Sequence, residues 1–233
     1  MKNSVTGTTA NLTPIEMAIK ILKDNQLVVI PTETVYGLAA NAFSPVAIQK
    51  IFRVKNRPVS NPLIVHIASK DRMEQIAINI PDEAHQLADF FWPGPLTLVL
   101  EKAANVPSIV TAGKNTVGVR VPDHPLTREL LEKLPFPLVA PSANRSNHIS
   151  PTSPQHVLDS LGKEAPFILD GGNCTRGIES TIIGFENGVP KIYRFGAVSK
   201  EEIESVLSCK LSTNTRSELH LAPGMFKNDY SSE

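Results

Sequence analysis

Lys55-Asn-Arg-Pro-Val-Ser-Asn-Pro-Leu-Ile-Val-His66 joins a polar, proline-pinned loop to an apolar run. Pro58 and Pro62 keep the loop out of helix, and Leu63-Ile64-Val65 reads as a buried strand. In an extended segment Lys55 and Arg57 point to the same side, because side chains alternate with a period of two. Two cations held by a stiff loop against a sheet suit an anion that needs both a point charge and a fork of donors. An ordinary solvated basic loop fits the same residues. His66 closes the run, where a lone histidine is more often a satisfied structural residue than a ligand.

Upstream, Ser44-Pro45 opens a helix whose Val46, Ile48, Ile51 and Phe52 are expected to face inward. Before it, Thr13-Pro-Ile-Glu16 carries a helix start and Leu27-Val-Val-Ile30 a short buried strand. That strand runs into Pro31-Thr-Glu-Thr-Val-Tyr-Gly37, whose hydroxyls, carboxylate and phenol lie where ligands of open α/β sheets sit. A polar turn with Tyr36 packed for its ring fits equally.

Downstream, Ser69 is expected to cap a helix, Pro81 to Phe91 form another, and Leu96-Thr-Leu-Val-Leu100 a strand, with Trp92 a core or lid residue. Thr116-Val-Gly-Val-Arg-Val121 alternates, putting Thr116, Gly118 and Arg120 on one face. A buried Arg120 needs a partner, either a protein acid or a ligand. Pro125 to Leu134 and Pro154 to Leu161 read as helices, and Pro137-Leu-Val-Ala140 and Phe167-Ile-Leu-Asp170 as strands. The strand pair around Asn187-Gly188 is the strongest hairpin signal. Ser199 caps a last helix, and Lys210 to Ser217 reads as polar and mobile. Antiparallel hairpin beside crossover-linked strands implies one α/β domain on a twisted, open, mixed parallel and antiparallel sheet flanked by helices. The expected boundaries are 1–12 as tail, 13–207 as the domain and 208–233 as a linker-like tail.

The 233 residues are 41% hydrophobic and 20% charged, with 23 basic and 23 acidic side chains. Zero net charge weighs against a non-specific nucleic-acid binder, so any such role rests on a local patch. Cys174 and Cys209 make neither a disulfide framework nor a zinc site. With no membrane-length apolar run and no signal-peptide core, a cytoplasmic protein is expected. The loops together offer Thr34, Lys55, Arg57, Asn61, His66, Thr116, Arg120, Ser142, Asn144, Ser180 and Arg194. That set is rich in cations, hydroxyls and amides and lacks a Ser-His-Asp order, a paired-acid site or a metal cluster. It suits a polyanion undergoing phosphoryl or nucleotidyl transfer. Neither GxxxxGK[ST] nor GxGxxG occurs, so scattered side chains would cradle the phosphates.

Pro31-Thr-Glu-Thr-Val-Tyr-Gly-Leu38, Lys55-Asn-Arg57, Asn61-Pro-Leu-Ile-Val-His66, Trp92-Pro-Gly-Pro-Leu-Thr97, Pro141-Ser-Ala-Asn144 and Gly177-Ile-Glu-Ser-Thr181 resemble the YrdC-like family. The likeness runs from about Pro14 to Leu207. Characterised members are threonylcarbamoyl-AMP synthases, so the resemblance implies a concave basic cavity that joins L-threonine, bicarbonate and ATP, with Mg²⁺. The expected product is threonylcarbamoyl-AMP, for the threonylcarbamoyl modification of tRNA adenosine 37, plus pyrophosphate. By motif position the signature residues are Lys55, Arg57, Ser142 and Asn144. The threonine pocket is Thr34, His66, Arg120, the Ala140 backbone and Ser180. The ATP contacts are Arg57, Asn61, Thr116, Ser142, Ser150, Arg194 and Tyr230. Downstream tRNA threonylcarbamoyl-transfer machinery is the implied partner, with a weak tRNA contact.

Ala222-Pro-Gly-Met-Phe-Lys-Asn-Asp-Tyr230 is similar to the linker of the family's long form, whose extra C-terminal domain is expected to be missing after Glu233. Asp229 and Ser231-Ser232 depart from that linker's pattern, and Phe195 stands where proline is common. Two other readings are a YrdC-like RNA-binding module without catalysis, for double-stranded RNA or tRNA, and a carbamoyl-transfer relative.

Overall fold

In the computed structural model, residues 12–186 and 188–213 are described. Helix starts fall where the capping residues stand. Thr13 and Glu16 form a reciprocal capping box over α1 (Pro14–Lys23), and Ser199 with Glu202 does the same over α6 (Lys200–Leu207). Ser44 caps α2 (Pro45–Lys55) and Ser153 caps α5 (Pro154–Leu161). α3 (Asp82–Phe91) and α4 (Pro125–Lys133) begin without a side-chain cap.

The strands are β1 (Val28–Ile30), β2 (Gly37–Asn41), β3 (Ile64–His66), β4 (Ala77–Ile78), β5 (Leu96–Lys102), β6 (Thr116–Arg120), β7 (Leu138–Val139), β8 (Phe167–Ile168), β9 (Thr181–Glu186), β10 (Val189–Arg194) and β11 (Ser212–Thr213). They form one sheet in the order β11-β10-β9-β5-β6-β3-β7-β2-β1-β8, with β4 on the side of β5. Pairs β1–β8, β3–β6, β5–β9 and β10–β11 are parallel and the rest antiparallel, including the expected β9–β10 hairpin. The mixed open sheet is therefore as the sequence implied.

Alternation sorts each central strand between two faces. Val65, Leu96, Leu98, Val117, Val119 and Ile183 point into the main core, where α2, α3 and α6 contribute Ile48, Leu87 and Ile203. On the opposite face α1 and α4 cover only the β1 end, packing Leu22 and Leu130 on Val28 and Ile30. Over β3, β5 and β9 that face carries just a small cluster of Val99 and Ile182 with Ile64 and Tyr193. This lightly covered stretch is where a ligand can reach the sheet.

Several expectations change. Lys55 lies in the last turn of α2, and the helix stops at left-handed Asn56 (φ 51°), so Lys55 and Arg57 are not neighbours on an extended segment. Val46 is exposed and Ala47 takes the inward position. Ser69 precedes only a 3₁₀ turn (Lys70–Gln75) and makes no side-chain cap. β2, β4 and β11 were not expected, and β11 adds to the sheet beyond residue 207, inside the stretch read as polar and mobile. Trp92 belongs to the core, its Nε1–H donating to the Leu96 carbonyl at 2.7 Å. Cys174 and Cys209 are free thiols, and burial pushes the Cys174 thiol up to about 11.

Candidate active site

One cleft opens on the uncovered face, where the loops after β1 and β7, the end of α2 with the loop that leads into β3, the end of β6, the approach to β9 and the end of β10 meet. Thr34, Lys55, Arg57, His66, Arg120, Ala140, Ser142, Asn144, Ser150, Ser180 and Arg194 all line it. Residues far apart in the chain and named from sequence thus share one hollow.

The Lys55 side chain is 1% exposed, and its ammonium donates to the carbonyls of Ser142 and Asn144, both at 2.5 Å, and to Asn144 Oδ1 at 3.3 Å. The Ser146 N–H returns a bond to the Lys55 carbonyl at 2.9 Å. The lysine therefore ties the end of α2 to the loop that carries Ser142 and Asn144. Asn144 Nδ2 in turn donates to the His148 carbonyl at 2.6 Å. Arg57 Nη2 donates to the Pro62 carbonyl at 3.0 Å, which anchors the guanidinium at the cleft wall.

Arg120 answers the either-or left by the sequence: it has a protein acid. Its Nη2 meets Glu33 Oε1 at 2.5 Å, both side chains being buried. Nη1 donates to Thr34 Oγ1 at 3.1 Å and Nε to the Gly94 carbonyl at 3.1 Å. A guanidinium has five N–H groups, so these three contacts leave two for a ligand. His66 pairs with Arg120 across the parallel β3–β6 ladder. Burial, reinforced by the Arg120 charge, holds its imidazole down at about 3, and its Nδ1 has no hydrogen-bond partner among the described residues. Ser180 Oγ bonds Thr97 Oγ1 at 2.8 Å, and Arg194 Nη2 donates to the Ser180 carbonyl at 2.8 Å. Ser150 Oγ donates to Glu179 Oε1 at 2.6 Å.

Asn61 and Thr116 are not on the cleft wall. Asn61 is buried behind Arg57, whose Nε approaches its carbonyl at 3.4 Å. Thr116 shares the face of Arg120 but stands at the other end of β6, exposed and paired with Glu101. Tyr230 lies outside the described residues. The inventory of site residues missed Glu33, although the Thr-Glu-Thr loop showed it, because a carboxylate is a poor lure for an anion. Glu179 and Ser146, which are on the cleft wall, stand beside named motif residues and gave no pattern of their own. Among the described residues no His, Cys, Asp and Glu side chains group as a metal site requires. None of the helices there is long and apolar enough to cross a membrane.

The family model Sua5_yciO_yrdC, described as telomere recombination, matches residues 20–196. A threonylcarbamoyl-AMP synthase of Pyrococcus abyssi is 47% identical over 193 residues, covering 83% of this chain and 57% of that protein. One from Bacillus subtilis is 41% identical over 215 residues, covering 91% of this chain and 62% of the relative. The crystal structure of P. abyssi Sua5 complexed with L-threonine aligns with a TM-score of 0.89 at 41% identity, over 95% of this chain and 67% of that one. The chain spans about three-fifths of the length of these two curated relatives.

Proposed function

Because this chain belongs to the Sua5, YciO and YrdC family, we propose that it is a cytoplasmic L-threonylcarbamoyladenylate synthase. In this reading residues 13–207 form the catalytic unit and 208–233 a linker-like tail. L-Threonine and bicarbonate give N-carboxythreonine and water. A carbamate oxygen then attacks the α-phosphorus of ATP, and pyrophosphate leaves with the electrons of the broken P–O bond. The product goes to machinery that modifies tRNA adenosine 37. Magnesium enters as part of the MgATP substrate.

The observation that carries this reading is the shared cleft of Lys55, Arg57, Arg120, Ser142, Asn144 and Arg194. The two spare N–H groups of Arg120 suit the threonine carboxylate. Neutral His66, with Nδ1 free to accept, and the hydroxyls of Thr34 and Ser180 suit the ammonium and side-chain hydroxyl. Arg57 and Arg194 offset charge gathering on the phosphates, while Lys55 holds the Ser142–Asn144 loop against the nucleotide. Ser150 and Tyr230 complete the nucleotide contacts carried by the resemblance, Asn61 acts through Arg57, and Thr116, at the far end of β6, is left out of them. Turnover then comes from positioning and electrostatics without a covalent enzyme intermediate. Packing around one methyl group separates threonine from serine by only ~1–3 kcal/mol, so selectivity is imperfect.

Incubation with L-threonine, bicarbonate and MgATP should release pyrophosphate in step with threonylcarbamoyl-AMP. Threonine-independent ATP turnover would point to a carbamoyl-transfer enzyme. No turnover with tight RNA binding would point to a binding module.

A further inference from the structure

The loop that carries Thr34 also carries Glu33, a carboxylate only 6% exposed. Such a group is costly to bury unless paired and hydrogen-bonded, and Glu33 is both. Oε1 meets Arg120 Nη2 at 2.5 Å, and Oε2 accepts the Asp123 N–H at 3.0 Å. Its backbone is fixed as well, the carbonyl accepting the Arg176 N–H at 2.8 Å. Since Thr34 and Gly94 hold the other two contacts, the Arg120 fork has little freedom to turn. Charge is the second consequence. A lone Arg120 would leave a bare cation at the pocket floor and favour any carboxylate. With Glu33 beside it and a neutral His66 alongside, the floor carries no net charge. A ligand with separate positive and negative ends then gains over a simple anion, which Glu33 repels.

We propose that Glu33 is a positioning residue that orients the Arg120 fork and cancels its charge, so that the pocket selects zwitterionic threonine over the same molecule without its ammonium. The inference rests on the threonine-binding reading above.

Calorimetry on the full chain with L-threonine, (R)-3-hydroxybutyrate (threonine lacking the ammonium) and MgATP tests it. Wild-type protein should bind threonine well ahead of hydroxybutyrate. In Glu33→Gln the threonine Kd should rise about tenfold, as loss of a charge-assisted contact implies. The hydroxybutyrate Kd should hold or fall, closing the gap, while MgATP binding is unchanged. Should Glu33→Gln not fold, Glu33→Asp carries the test: it keeps the charge but shortens the reach, so threonine binding weakens with the gap preserved. An unchanged threonine Kd in the variant that folds, or in Glu33→Gln an equal loss for all three ligands, overturns the inference and leaves the functional reading standing. Wild-type protein that binds no threonine overturns both.

Discussion

Lys55 illustrates how a residue's surroundings redefine its work. Its ammonium, buried and held by Ser142 and Asn144 oxygens, organises a loop before it meets any phosphate. Lys55→Met removes the donor and strands the buried Asn144 carbonyl, worth roughly 1–3 kcal/mol, and the half-buried Ser142 carbonyl beside it. The variant should therefore lose stability in urea unfolding by that order and lose pyrophosphate release at least a hundredfold. Wild-type stability with lost turnover would instead make Lys55 a pure phosphate ligand. His66 gives a pH prediction. Its folded value of about 3 lies below the ordinary 6.5, so between those values the unfolded chain binds a proton that the folded chain refuses. Stability from this residue is full above 6.5 and falls as pH drops toward 3, by up to about 1.4 kcal/mol per pH unit. Unfolding free energies from pH 7 to 4.5 should show a slope about one proton shallower in His66→Gln than in wild type. An unchanged slope would mean that His66 is not held neutral.

At the scale of elements, the hairpin and the caps other than Ser69 were legible because their signals are local. Thr13, Ser44 and Ser199 mark helix starts by side-chain chemistry alone. β2 was not legible: Gly-Leu-Ala-Ala-Asn has weak strand propensity, and its small residues are there for close packing. A Cβ on Gly37 would lie 3.1 Å from the Ala140 Cβ. The end of α2 was misplaced for a related reason: Asn56, the left-handed stop, was overshadowed by the prolines that follow. Gly196 makes a sharper case. A Cβ there would stand 2.3 Å from the Glu179 carbonyl oxygen and 2.5 Å from the Ser180 carbonyl carbon, and Ala197 N–H already bonds the Glu179 carbonyl at 2.9 Å. Backbone cannot rotate aside as a side chain can. Gly196→Ala should therefore push the turn after β10 off the Glu179–Ser180 segment that leads into β9, costing roughly 1–3 kcal/mol. It should also raise the KM for both threonine and ATP, since Ser180 and Arg194 separate together. A thermal scan with two substrate titrations checks it, and normal KM values would show that the turn does not set the site.

Across the whole molecule, the cations matter by where the sheet gathers them. With 23 basic and 23 acidic residues, the chain has no net attraction for a polyanion. Yet Lys55, Arg57, Arg120 and Arg194 face one hollow because α2, β6 and β10 end at the same uncovered stretch of sheet. The motifs named these residues, but pairwise sequence separation says nothing about which face α1 and α4 leave open, so the cleft itself was legible only by resemblance. The same gathering decides between enzyme and RNA-binding module. Phosphate neutralisation by a handful of cations gives weak, salt-sensitive affinity, and here those cations line the cleft assigned to MgATP. Bulk tRNA should accordingly bind weakly, lose affinity steeply between 50 and 200 mM salt as about 0.9 of a log–log slope unit per neutralised phosphate dictates, and be displaced by saturating MgATP in filter binding. Tight binding at 200 mM salt that MgATP leaves untouched would put the RNA surface elsewhere on the molecule and make the module reading the better one.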